Sequence, residues 1–117
     1  MAFKIESSLL DACALAIINK GDTYGYEITQ SMKKAIVLSE STLYPVLRRL
    51  QKNGLCRTYD EPYQGRNRRY YSITEEGREK LAEYKIQWQE YKRAIETFLG
   101  EPEETESNTM AGGEESE

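Results

Sequence analysis

The chain has 117 residues, enough for one small domain with an appended element. It contains no histidine, only two cysteines, and no CxxC, phosphate-loop glycine or GxSxG pattern, so no enzyme and no cofactor is expected. The net charge of −4 conceals a split: residues 101–117 hold seven acids and no base, while residues 39–73 hold seven bases against three acids. An acidic balance argues against a polyanionic partner only when charge is evenly spread.

Residues 5–19 read as a first helix, with Leu9, Leu10, Cys13, Ile17 and Ile18 at helical spacing and Ser7 or Ser8 as cap. Glu6 and Asp11 near its start, and the lack of a small-residue cleavage site, argue against a signal peptide. No apolar run is long enough to span a bilayer, so a cytoplasmic protein with reduced Cys13 and Cys56 is expected, and no membrane partner. Gly21-Asp22 ends this helix. Thr23 caps a second, from about Tyr24 to Ala35, with Ile28 and Met32 on its buried side and Gly25 allowing close packing.

A third helix starts at Ser39 or Ser41 and stops at Asn53-Gly54. Unrolled at about 100° per residue, it has two sides. Leu43, Val46, Leu47 and Leu50 cluster on one, and Ser41, Pro45, Arg48 and Lys52 on the other, flanked by Thr42, Arg49 and Tyr44. Pro45 predicts an irregular first turn. Leu55–Tyr59 and Arg69–Ile73 read as antiparallel strands joined by Glu61–Asn67, where Pro62 and Gly65 supply turn chemistry. Thr74 caps a last helix that runs to Gly100. Its Leu81, Tyr84, Trp88, Tyr91, Ile95 and Phe98 are spaced 3, 4, 3, 4, 3, an a/d seam. At about 37 Å the rod is longer than a small domain covers, so the seam predicts a homodimer.

Three helices followed by a hairpin predict a mainly α fold with a small β-hairpin (α+β). This is a winged helix-turn-helix with a long C-terminal dimerisation helix. The expected organisation is a DNA-binding domain over 1–73, a dimerisation helix over 74–100 and a disordered acidic tail over 101–117. In such folds the third helix enters the major groove of double-stranded DNA. Arg48, Arg49 and Lys52 suit phosphates or guanine, and Ser41, Thr42 and Tyr44 can donate to phosphate oxygens. Arg66, Arg68 and Arg69 lie within four residues of the Gly65 turn, and arginine in a projecting loop suits phosphate or a narrow minor groove. The basic surface is also compatible with a winged-helix module that meets an acidic protein.

TYGYEI at 23–28, ESTLYPVLRRLQKNGL at 40–55 and GRNRRYYSITEEG at 65–77 resemble the PadR family of bacterial transcriptional regulators. The resemblance covers residues 5–100, and the single terminal helix is similar to the small PadR subfamily. It implies a homodimer on an inverted-repeat operator, usually a repressor. It places Ser41, Thr42, Tyr44, Arg48, Arg49, Gly65, Arg66 and Arg68 at or near DNA, with Tyr70 and Tyr71 supporting the wing. Some proteins resembling this family bind flat hydrophobic or aromatic effectors between dimer-interface aromatics. Trp88, with Tyr84 on its seam and the small Ser8 and Ala12 nearby, is the corresponding candidate. The alternative is a plain dimer-core tryptophan, or a small-molecule binding protein without an operator. The acidic tail departs from the family pattern; it would screen the basic surface from non-specific DNA or keep the chain soluble.

Overall fold

A computed structural model describes residues 5–101. The acidic tail lies, past Glu101, outside the described residues. Four helices and three short strands follow in the order α1 (Ser7–Asn19), β1 (Thr23–Tyr24), α2 (Gly25–Lys33), α3 (Glu40–Lys52), β2 (Cys56–Tyr63), β3 (Arg66–Ile73) and α4 (Glu75–Leu99). This is the α+β winged-helix arrangement expected from the sequence. The chain divides into two compact units between Gln87 and Trp88, inside α4, whereas the sequence pattern sets its boundary where that helix starts.

The core of the first unit is built on α1. Leu10, Ala14, Leu15 and Ile18 are buried, and they meet Ile28 and Met32 of α2, one side of α3 and the inner face of the sheet. Burying side chains of this size contributes roughly 1.5–3 kcal/mol each. The buried line lies one residue round from the stripe expected: Leu9, Cys13 and Ile17 are only half-buried. Glu6, not Ser7 or Ser8, holds the cap position, and the Ser8 hydroxyl donates to its carboxylate at 3.3 Å.

The second helix is shorter than expected at both ends: it stops at Lys33 instead of Ala35, and Tyr24 leaves it to join Thr23, its expected cap, in β1. This two-residue strand pairs antiparallel with β3 (Thr23 with Tyr71, Tyr24 with Tyr70), giving the order β1-β3-β2. The Thr23 hydroxyl still donates to the carboxylate of Glu27, across the first turn of α2. A side chain at Gly25 would meet Leu47 at 3.9 Å, an ordinary contact, so close packing is not what that glycine supplies.

The hairpin is longer and tighter than the sequence suggests. Its strands pair from Cys56–Ile73 to Tyr63–Arg66, so Glu61, Pro62 and Asn67 are strand residues. Only Gln64 (φ 50°) and Gly65 (φ 81°) turn the chain, as a two-residue turn that needs positive φ at both positions. Pro62 is tolerated because β2 is an edge strand, where a missing N–H breaks no inner ladder. Cys56 is buried at the other end of β2, and burial pushes its thiol up to about 11, which keeps it protonated and unreactive.

The end of α3 and the start of α4 share one joint. The Leu55 N–H bonds the Leu50 carbonyl (2.9 Å) and the Gly54 N–H bonds that of Gln51 (3.1 Å), closing α3 in a Schellman motif. The Thr74 N–H then bonds the Leu55 carbonyl (3.1 Å), and its hydroxyl donates to the Gly54 carbonyl (2.6 Å). That same hydroxyl accepts the Gly77 N–H (3.0 Å) as the N-cap of α4. Gly77 is buried, and a Cβ there would overlap the Leu55 carbonyl oxygen and come within 2.7 Å of Ile73. Gly77→Ala should therefore destabilise the fold by about 2 kcal/mol or more, measured by urea denaturation. A stability equal to the parent's would show that the joint yields.

Candidate nucleic-acid interface

Burial of Leu43, Val46, Leu47 and Leu50 fixes which side of α3 faces outward. Ser41, Thr42, Tyr44, Pro45, Arg48 and Lys52 are exposed, Tyr44 at 62%. Ser39 holds the N-cap position without a cap bond to the backbone. Its hydroxyl instead bonds those of Ser41 (2.8 Å) and Thr42 (3.1 Å), so three hydroxyls gather where the helix amides lack intrahelical partners. Glu40 in the same turn is the one acid on this end. Further along, the Arg48 guanidinium lies 5.8 Å from the Tyr44 ring centre. Tyr44, Pro45, Arg48, Arg49, Gln51 and Lys52 line a shallow groove along this side.

Between α3 and β3 runs an open trough of about 500 Å³. Leu43, Leu47 and Tyr71 line it along with Tyr24, Tyr26 and Arg68. Tyr24 and Tyr26 belong to the entry of α2, and sequence reasoning gave neither a role in the site. Their only signal is the TYGY stretch, too short to show a strand period.

Two arginines expected at DNA are held within the chain. Arg49 meets Asp11 of α1 through Nη2–Oδ1 at 2.6 Å and Nε–Oδ2 at 3.2 Å, a bidentate pair on a nearly buried carboxylate. Arg68 lies against the rings of Tyr24 (3.9 Å) and Tyr63 (3.4 Å). Gly65 sets the turn, and Arg66, the first residue after it, is exposed. Arg69 makes only a 3.8 Å cross-strand pair with Asp60, both exposed, which contributes little.

The wing is braced by tyrosines. Tyr70 stacks on Tyr59 (5.6 Å, 12°) and meets Tyr24 edge-on (5.6 Å, 68°), while Tyr71 is buried on the opposite face. The Tyr59 hydroxyl donates to Asp22 at 2.7 Å, which pushes its pKa up to about 12 and keeps it protonated.

The α4 seam is not uniform. Leu81 is 5% exposed and belongs to the core of the first unit, so it is not free for the dimer seam the sequence put it in. Tyr84 is half-buried against that core, and burial raises its pKa. In the second unit Trp88 (41%), Tyr91, Ile95 and Phe98 (82%) are exposed. Trp88 and Tyr91 sit 6.4 Å apart, ring to ring. Ser8 is exposed and Ala12 half-buried on α1. Among the described residues no group of acids and cysteines could hold a metal, and no helix is long and apolar enough to cross a membrane.

A helix-turn-helix whose second helix turns a basic, hydroxyl-rich side outward next to an arginine-tipped wing defines a winged-helix transcriptional regulator. The family model described as transcriptional regulator PadR-like matches residues 14–83, and the chain belongs to that family of DNA-binding regulators. An uncharacterised protein of Lysinibacillus sphaericus is 36% identical over 95 residues, which are 77% of this chain and 87% of that protein. Among solved structures, smu.1704 from Streptococcus mutans is 36% identical with a TM-score of 0.77, over 89% of this chain and 100% of that one. A PadR family transcription regulator from Clostridium difficile is 33% identical with a TM-score of 0.71, over 78% and 98% of the two chains.

Arg49→Ala should lower stability by about 1 kcal/mol, a figure reduced for its part-exposed guanidinium. It should leave the salt dependence of DNA binding unchanged, in contrast to a phosphate contact. Urea denaturation and a salt titration of binding check the two halves; a slope lowered by about one would make Arg49 a DNA contact.

Proposed function

We propose that the chain is a homodimeric cytoplasmic repressor that binds an inverted-repeat operator. The observation that carries this is the outward side of α3, where Ser41, Thr42, Tyr44, Arg48 and Lys52 are all exposed opposite a wholly buried apolar side. Each recognition helix enters a major groove, and the two meet successive grooves about 34 Å apart on one DNA face. Arg48 and Lys52 provide phosphate or guanine contacts, and the hydroxyls at the start of α3 bind backbone oxygens. Arg66, exposed beside the turn, is the wing residue free to reach phosphate or the adjacent minor groove.

Dimerisation through the second half of α4 is supported by Trp88, Tyr91, Ile95 and Phe98, which are apolar, helically spaced and exposed in the single chain. Leu81 has no part in this version of the seam. A flat hydrophobic effector between the two copies of Trp88 would act by favouring a crossing of the helices that misplaces one recognition helix. It must bind that state more tightly than the DNA-competent one.

Arg48→Ala and Arg66→Ala should each weaken operator binding, and each should lower the salt slope by about one if it contacts phosphate. Anisotropy titrations at several salt concentrations, using a duplex selected from random DNA, provide the measurement. Unchanged affinity and slope in both variants would remove α3 and the wing from the interface. Trp88→Asp combined with Tyr91→Asp should give monomers or aggregates in sedimentation. A dimer of parental stability would place the interface elsewhere.

A further inference from the structure

The outer face of the sheet carries an aromatic array that the repressor reading does not use. Residues opposite one another in the register share a face, which puts Tyr24, Tyr70 and Tyr59 in a row across the three strands. Arg68 follows two residues before Tyr70 on the same face. Its guanidinium carbon lies 3.9 Å from the Tyr24 ring centre and 3.4 Å from that of Tyr63, well inside cation–π range for both. Among the described residues no carboxylate makes an ion pair with Arg68, although Glu61 is its cross-strand partner.

The two rings belong to distant parts of the chain. Tyr24 ends β1, where the chain enters the helix-turn-helix, while Tyr63 is the last residue of β2 before the wing turn. β1 pairs with β3 only at Tyr70 and Tyr71. From the Asp60–Arg69 pair outward to the turn, the wing is a two-stranded ribbon. Such a ribbon is marginally stable alone and free to twist. Arg68 is the group that touches both the ribbon's tip and its base.

We propose that Arg68 is a positioning residue: its guanidinium, held by Tyr24 and Tyr63, clasps the wing to the helix-turn-helix and thereby sets where Arg66 meets DNA. The π-stacked guanidinium does not bind phosphate in this role. The proposal rests on the wing's being a DNA contact, and it changes what the wing's arginines do. Arg66 makes the contact and Arg68 aims it.

The test uses the full chain. Arg68→Ala and Tyr63→Ala should each accelerate amide hydrogen exchange of residues 64–67 in the free protein while global unfolding stays close to the parent's. Each should weaken operator binding by about two- to five-fold, the equivalent of one exposed cation–π contact, without lowering the salt slope. Tyr63→Phe, which keeps the ring, should behave as the parent does. The double variant Arg68→Ala/Tyr63→Ala should be no weaker than either single one, since the two act as a unit. A salt slope lowered by about one in Arg68→Ala, with Tyr63→Ala binding normally, would make Arg68 a phosphate contact and overturn the clasp. Unchanged exchange at residues 64–67 would overturn it too. If the parent chain selects no duplex from random DNA, the operator reading fails, and the exchange measurement on the free protein still decides the clasp.

Discussion

Burial of one side of α3 against α1 is the constraint on which the remaining geometry depends. Leu43, Val46, Leu47 and Leu50 are all within a few percent of full burial, so the helix has no freedom to rotate about its axis. A rotation of one residue's angle would draw an arginine toward Leu15 and Ile18 and expose a leucine, a change opposed by several kcal/mol. The side chains on the outward side are therefore presented by the packing of the inward side. The Asp11–Arg49 pair adds a directional bond to this contact and fixes α3 along its axis as well as around it.

Much of this was legible in the chain. The amphipathic patterns of α1, α3 and α4 are long enough to show a helical period, and the Asn53-Gly54 and Thr74 signals sit where the helices end and begin. β1 was not legible, because two residues carry no periodicity and Thr23 reads equally well as a cap. The length of the hairpin was hidden by Pro62, which signals a turn unless the strand is known to lie at an edge. The roles of Arg49 and Arg68 were invisible for a different reason. Asp11 and Tyr24 lie about forty residues away in sequence, and Tyr63, although near Arg68 in the chain, comes against it only through a hairpin register that the sequence did not show. Leu81 fits the heptad spacing perfectly well and yet belongs to the core, since spacing reports the face of a helix and not what covers it.

The site divides accordingly. Arg48, Lys52 and Arg66 have guanidinium or ammonium groups with no carboxylate partner among the described residues; packing of α3 fixes the surface that carries Arg48 and Lys52, while Arg66 stands on the exposed wing. Arg49 and Arg68 hold those surfaces together. A count of positive charge over residues 39–73 treats all of them alike, although they act at different links of the chain from fold to function. Membership of the PadR-like family brings the DNA-binding class, and the local geometry sorts the residues within it.

The joint around Leu55 has a mechanical meaning. The Leu55 carbonyl oxygen accepts the Thr74 N–H and lies so close to Gly77 that no side chain fits there, while the Leu55 N–H closes the end of α3. One peptide segment is thus bolted to the last turn of α3 and the first turn of α4. A twist applied to the start of α4 is therefore carried through these bonds into the last turn of α3. The junction has the geometry of a crank, in which two helices that meet at an angle share one rigid pivot.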